Sequence, residues 1–287
     1  MRWNWTQTDW PNFRYDSAAV EPLERQFLLS SGEILGAVRH VTGEERDRFR
    51  IELISEEAMR TSAIEGEVLD RSSVQSSLRR QFGLTADGAP SKPREQGVAE
   101  MMVDVYSTYA AHLTDETLCR WHGMLLSHDR GLETIGAYRR HNDAMQIVSG
   151  RIDRPTVHFE APPSAQVQGE MDVFVDWFNR TAPDGPTQLP ALTRAALGHL
   201  WYESIRPFED GNGRLGRALA EKSLAQNIGQ PSLIALAYTI ERERKAYYDQ
   251  LETHQKTLDV TGWLLWFAEI VLKAQQVTLT RVAFFIA

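Results

Sequence analysis

The run of residues 192–226 constrains the fold of this chain more than any other stretch. "LTRAALGHLWYESI", residues 192–205, is amphipathic at helical spacing and ends where Pro207 forbids continuation. "FEDGNG" then turns the chain, and Arg214 opens a second helix, "RLGRALAEKSLAQ". Helix, glycine-containing turn, helix is also the dominant grammar elsewhere. Periodicity of three to four predicts helices over 20–39, 44–65, 73–81, 96–111, 115–126, 164–179, 190–205, 214–227, 241–256 and 261–276. On the second of these, Ile51, Ile54, Ala58, Thr61 and Glu65 share one face, and Gly66 supplies the stop. Over 127–163 the period fails. There, 146–148 and 156–159 are β-prone, with Gly150 and Pro155 between them, which predicts an irregular hairpin. The fold class is all-α with one small β-hairpin, without internal repeats.

Composition narrows the partners. The net charge of −8 argues against nonspecific binding to nucleic acid or to an anionic membrane, since both need positive fields. It leaves room for a local basic pocket around one anionic ligand. A single cysteine, Cys119, excludes an intramolecular disulfide and a cysteine-rich metal site. The N-terminal "MRWNWTQTDWPNFRYD" lacks the pattern of a secretory signal, and "GWLLWFAEIVL" at 262–272 is too short to span a bilayer and contains Glu269. A soluble cytoplasmic protein is expected. Gly, Pro and polar residues at 83–95 mark the best linker, dividing the chain into 1–83, a linker at 84–95, and 96–287. The terminal "AFFIA" stays open between packing on the core, a homo-oligomer contact and the edge of a longer chain.

The turn itself has the chemistry of an anion site. Free backbone N–H groups at a helix N-terminus, together with the positive end of the helix dipole, favour phosphate. Gly211 and Gly213 permit close backbone approach, and Arg214 and Arg217, three apart, share a face from which each could clamp phosphate oxygens. Asp210 is placed to hold a divalent cation shared with those phosphates. The plainer alternative is a capped turn flanked by two solvated arginines, and spacing alone does not choose.

The same residues carry a family resemblance. "RPFEDGNGRLGR" resembles the Fic-domain signature H-P-F-x-D/E-G-N-G-R-x-x-R at every fixed position but the first. "HLWYESI" before it, "RKAYYDQLETHQK" after it and "MQIVSGRIDRPTVHFEAPP" as the target-binding flap fit the same family. "RTSAIEGE" matches its inhibitory motif through Thr61, Glu65 and Gly66, and "WNWTQTDWPNF" resembles the small extension of one subgroup. The resemblance implies a helical fold and transfer of AMP from ATP to a hydroxyl side chain of a target protein. It implies that Asp210 binds Mg²⁺, and that Asn212 and the turn amides hold the α- and β-phosphates. Arg214 contacts phosphate, and Arg217 takes the γ-phosphate or pairs with the inhibitory Glu65. The flap, with Gln146, Ile147, Val148, Val157, His158 and Phe159, docks the target by strand-like pairing. Tyr247 and Tyr248 are adenine-pocket candidates, although aromatics on a helix more often serve the core. Glu65 on its helix face needs a cationic partner, and Arg217 is the one named here. A stabilising ion pair without regulatory meaning is the competing reading.

The departure is Arg206, which stands where the family has the histidine that deprotonates the target hydroxyl. An arginine cannot take that proton near neutrality: freeing its lone pair at pH 7 costs more than about 7 kcal/mol at 1.36 per pK unit. Loss of a general base lowers rate by roughly 10²- to 10⁴-fold. His199 shares the helix face but lies two turns away, about 10 Å at 1.5 Å per residue. His158 in the flap is more flexible, and its simpler role is to hold the hairpin. His112, His122 and His128 form no ligand pattern and read as structural. The expectation is an AMP-transferase scaffold, autoinhibited by Glu65 and impaired at Arg206. Its rival is a non-catalytic module that binds nucleotide and protein. Transfer of a different phosphate-containing group is a third, weaker option.

Overall fold

The computed structural model describes residues 3–39, 43–85, 92–151, 154–232 and 234–286. Eleven helices lie among them: α1 (Ser17–Arg39), α2 (Gly43–Ile64), α3 (Arg71–Gln81), α4 (Pro93–Ser107), α5 (Asp115–Leu126), α6 (Ser164–Arg180), α7 (Ala191–Ile205), α8 (Asn212–Ile228), α9 (Leu236–Arg242), α10 (Arg244–His254) and α11 (Thr261–Ile286). One antiparallel hairpin, β1 (Gln146–Arg151) with β2 (Arg154–Glu160), stands between α5 and α6. The expected all-α class with a small hairpin holds.

α7 is the axis of the molecule, with every one of its residues buried. It packs against α8 on one side and against α1, α6 and α11 on others. Two apolar clusters flank it. One gathers Trp121, Phe174, Tyr202 and Phe208, the other Phe27, Leu200, Trp263 and Phe267. Polar groups pin the same axis: Glu24 of α1 accepts the N–H groups of Leu192 (3.0 Å) and Thr193 (2.7 Å), capping α7 from a distant helix.

Several boundaries differ from the sequence reading. α1 starts at Ser17, ahead of residue 20, because the Asp16 carboxylate accepts from Ala18 and Ala19. α4 starts at Pro93, inside the expected linker, since proline suits a first helical turn. Residues 86–91 of that linker lie outside the described residues. The helix expected over 241–256 breaks at Glu243 into α9 and α10. The N-terminus of α9 rests on Glu57 of α2, which accepts from Ala237 and Tyr238. That cap is contributed from far away in sequence, so no local pattern announces it. α11 runs on to Ile286, carrying 283–286 of the terminal "AFFIA", with Phe284 exposed.

The N-terminal segment buttresses both the hairpin and α7. Trp3 packs edge-on against Phe159 with ring centroids 5.4 Å apart. Trp5 Nε1 donates to the Glu160 carbonyl at 2.6 Å, and Asn4 Nδ2 donates to Ser204 Oγ at 2.9 Å.

Candidate functional site

Pro207 cannot donate to a continuing helix, so α7 ends at Ile205 and Arg206 takes the left-handed conformation, φ 47°. It is the one non-glycine residue with positive φ among the described residues. Such a position costs an ordinary side chain about 1–2 kcal/mol. The surroundings hold it there. Buried Arg139 donates to the Arg206 carbonyl at 2.8 Å and to Ser164 Oγ at 2.9 Å, while its own N–H donates to the Pro207 carbonyl at 2.9 Å. Burial, with Arg206 nearby, pulls the Arg139 guanidinium down to about 10. The sequence reading missed this residue because nothing local marks it.

The turn closes on itself. Asn212 Oδ1 accepts the Phe208 N–H at 3.0 Å and its Nδ2 donates to the Phe208 carbonyl at 2.7 Å. Through these two bonds the Asn212 side chain braces the loop, at the N-terminus of α8 where the resemblance expects phosphate. Gly211, φ 77°, precedes α8 as its cap. Leu125, Leu126 and His122 crowd the place a Cβ would take at Gly211. His122 stacks flat on Phe208, 4.2 Å between centroids, and burial pushes its imidazole down to about 4. It is a neutral platform under the loop.

Both arginines are buried and paired. Arg214 Nη1 donates to Glu67 Oε2 at 2.6 Å and Nη2 to Asp210 Oδ2 at 3.3 Å. Arg217 donates from Nε to Thr61 Oγ1 (2.8 Å) and from Nη2 to the Thr61 carbonyl (2.9 Å) and Glu65 Oε1 (2.7 Å). Burial opposes its charge, and Glu65 together with Tyr247 and Glu203 outweighs that, so the guanidinium is raised. Burial conversely pushes the Glu65 carboxyl up, and Arg217, then Arg206 and Arg214, hold it below the ordinary value. α2 stops at Ile64, one residue short of the expected end, so Glu65 sits in the turn before left-handed Gly66. From there its carboxylate rests on the N-terminus of α8: a Cβ at Gly213 would lie 2.2 Å from Glu65 Oε1. Glu67 was not foreseen, although it follows the inhibitory motif by a single residue.

Arg206 has a partner of its own. Its Nη1 donates to Glu203 Oε2 at 2.7 Å, and the Glu203 side chain is only 2% exposed. Burial pushes the Glu203 carboxyl up, against the pull of Arg206. Three residues apart across the end of α7, this pair was legible in "ESIR" but not read.

A cavity of about 570 Å³ opens beside these groups, bordered by Glu65, Gly213, Glu203 and Arg206 at its base. Tyr247 and Tyr248 form another wall, and the hairpin, through Ile147, Val148, His158 and Phe159, a third. Tyr247 is buried and its hydroxyl meets His199 Nε2 at 2.9 Å, whereas Tyr248 is 38% exposed. Burial pushes His199 down to about 4, so it serves the core as a neutral ring. Gln146 sits at the hairpin base, donating to Glu160 Oε2 at 2.6 Å. Of the other histidines, His112 faces Asp184 at 3.6 Å and His128 accepts from Arg94 Nε at 3.2 Å.

No group of three His, Cys, Asp or Glu side chains able to hold a metal occurs among the described residues. Asp210 alone fits a subtler demand. Its carboxylate is 56% exposed at the mouth of the turn, and Mg²⁺ asks a protein for one or two carboxylates when phosphates supply the rest. No helix is long and apolar enough to cross a membrane among the described residues.

Comparison with known proteins agrees with this fold. Residues 112–224 match the Fic/DOC family, and residues 3–84 match a domain described as DUF4172, of unknown function. A relative named protein adenylyltransferase Fic, from Nematostella vectensis, is 26% identical over 195 residues, which are 67% of this chain and 41% of that protein. The chain thus spans about two fifths of that curated relative's length. A crystal structure of a Fic family protein from Desulfovibrio desulfuricans G20 superposes with a TM-score of 0.67 at 23% identity, covering 94% of this chain and 77% of that one. A Fic domain containing signaling protein from Bacteroides thetaiotaomicron VPI-5482 gives 0.65 at 18% identity, covering 92% and 97%. Fic-1 from C. elegans gives 0.63 at 20% identity, covering 94% and 74%.

Proposed function

We propose, for a chain that carries a Fic/DOC family domain at residues 112–224, that its cavity binds ATP and belongs to a protein AMP-transferase scaffold held off by Glu65 and impaired at Arg206. The observation that carries the reading is the place of Glu65. Its carboxylate lies against Gly213 at the N-terminus of α8 and takes Arg217 at 2.7 Å, where an anion bound to that terminus would lie. A carboxylate there is a stand-in for phosphate, and the two compete for one guanidinium.

In this account the turn amides at Gly211 and Gly213 and the arginines at 214 and 217 orient the phosphates. Arg214 must turn from Glu67 to do so, and Arg217 from Glu65. Asp210 would hold Mg²⁺, which supplies charge neutralisation along the phosphate chain. Tyr248, exposed at the cavity wall, offers a face for adenine, and the hairpin offers an edge strand for a target segment. Arg206 binds and cannot take a proton, and its charge is already matched by Glu203. Transfer to a target hydroxyl therefore lacks its base. ATP as substrate, Mg²⁺, a cytoplasmic setting, an unidentified target and a homo-oligomer all stand within this proposal, as does the division at 83 and 95. The non-catalytic rival shares every binding element and differs only in never transferring AMP.

Titration calorimetry with ATP and Mg²⁺ tests the binding half. The native chain should bind weakly and Glu65→Gly more tightly, with Arg217→Ala cancelling the gain. Equal affinity of native and Glu65→Gly chains would refute competition for Arg217.

A further inference from the structure

Ser149, His158 and Glu252 border the same cavity, and the nucleotide reading leaves them without a chemical task. They form one hydrogen-bonded chain. Ser149 Oγ lies 2.6 Å from His158 Nε2, and His158 Nδ1 lies 2.8 Å from Glu252 Oε2. The other oxygen of Glu252 accepts from Lys256 Nζ at 2.7 Å. Only a protonated Nδ1 satisfies the carboxylate, so the neutral ring presents its Nε2 lone pair to the serine hydroxyl. That is the connectivity of a base-activated nucleophile.

The backbone is shaped to make it. Pairing jumps from Ile147 opposite Phe159 to Val148 opposite Val157, leaving His158 as the extra residue of a bulge in β2. A bulge re-aims the side chain it carries. Ser149 pairs directly with Thr156, which makes His158 its diagonal neighbour, within reach of a long side chain. Glu252 comes from α10, in the body of the protein, so the chain ties the hairpin to the cavity wall.

We propose that Ser149 is a nucleophile toward phosphorus in this cavity and accepts the nucleotidyl group of a nucleoside triphosphate bound there, with His158 as its base and Glu252 as the residue that positions His158. The proposal rests on the nucleotide reading above. Ser149 Oγ attacks the α-phosphorus, the Oγ–Pα bond forms, and the bond from Pα to the bridging oxygen breaks. Pyrophosphate leaves with the electron pair, and the hydroxyl proton passes to His158 Nε2. The step bypasses position 206 as a base, so Arg206 does not forbid it.

The test has two arms on the full chain. The first uses a fluorophosphonate probe without nucleotide, which phosphonylates base-activated hydroxyls, with the site read by peptide mass spectrometry. Ser149 should label ahead of other serines, and Ser149→Ala should abolish that label. His158→Gln should slow it roughly 10²- to 10⁴-fold, the usual worth of a general base. Glu252→Gln should slow it less, with circular dichroism confirming folded variants. Labelling of Ser149 at the rate of any exposed serine, or unmoved by His158→Gln, overturns the proposal. The second arm adds α-phosphate-labelled ATP and Mg²⁺ to the Glu65→Gly chain, with ATP binding followed by calorimetry in the same preparation. Label should appear on Ser149 despite Arg206. ATP bound without label on Ser149 overturns the proposal and leaves the nucleotide reading standing. No ATP bound removes the nucleotide reading, and the proposed donor with it.

Discussion

Replacing Arg206 with glutamine isolates what the guanidinium does for the fold. The change removes the cation 2.7 Å from a Glu203 carboxylate that is 2% exposed and strands the charge in the core. Breaking a buried pair from one side costs about 3–5 kcal/mol. Proton uptake sets a ceiling on that loss. Neutralising a carboxyl with an ordinary pKa of about 4.3 costs roughly 3.7 kcal/mol at pH 7 and roughly 2.3 kcal/mol at pH 6, at 1.36 per unit. Arg217 is near enough to relieve part of the charge, whereas Glu65 adds to it. A loss of about 3 kcal/mol at pH 7 follows, below the ceiling.

The sign of the pH dependence is fixed. Glu203 already has a raised carboxyl, and losing its cation raises it further. A raised folded value means stability is lost as pH climbs through it and is fully present below the unfolded value. The deficit of Arg206→Gln should therefore shrink by up to about 1.4 kcal/mol per unit as pH falls from 7 toward 5. Glutamine keeps the left-handed backbone cost, so that contribution cancels in the comparison. Urea unfolding followed by circular dichroism at pH 5 to 8 measures it. The Arg206→Gln/Glu203→Gln double variant should recover most of the loss, with a coupling of about 2–3 kcal/mol, at the upper end for contacting residues. Unchanged stability of the single variant at pH 8, or a deficit independent of pH, would refute the reasoning.

Other consequences are sharp enough to check. Gly213→Ala places a Cβ 2.2 Å from Glu65 Oε1, where the phosphate would also lie, so in the Glu65→Gly chain it should shrink the Tm shift produced by ATP; an unchanged shift counts against phosphate at that helix terminus. Glu221 is pushed up to about 7 by burial and accepts from Tyr106 at 2.5 Å, beside the also-raised Glu57. Its contribution is present below the ordinary carboxylate value and is lost as pH rises toward 7, so the native Tm should decline across that window and Glu221→Gln should flatten the decline. Trp3→Ala removes the ring that packs on Phe159 and should loosen the hairpin, seen as faster proteolysis within 146–160 while the helical signal persists.

The helices were legible because their apolar spacing is local, and the turn from Pro207 to Gly213 was legible because proline and glycine restrict backbone choices in fixed ways. The pairing of Arg217 with Glu65 needed more than spacing, since 152 residues separate the partners in sequence. What named the partner was the resemblance of 61–66 to the inhibitory motif, with which the demand of a carboxylate on an apolar face for a cation agrees. The rest was hidden for a common reason: it depends on contacts between distant segments. Arg139 under the turn and Glu57 capping α9 carry no periodic or motif signal, and nothing local pairs Trp3 with the hairpin. Asn212 carries a structural task that its place in a glycine turn does not announce, since its side chain braces the backbone of Phe208. Ser149 and His158 escaped joint notice because alternation along a strand does not foresee a bulge.

The most direct test of the central claim is transfer of α-phosphate label from ATP to added cellular proteins, in the presence of Mg²⁺. Glu65→Gly is compared with Glu65→Gly/Arg206→His, both in a Ser149→Ala background so that label on the hairpin does not intrude. The account predicts label in the added proteins from the Arg206→His form, and a rate lower by roughly 10²- to 10⁴-fold when Arg206 is kept. Equal transfer by both would contradict it, placing the base for the target hydroxyl somewhere other than the end of α7.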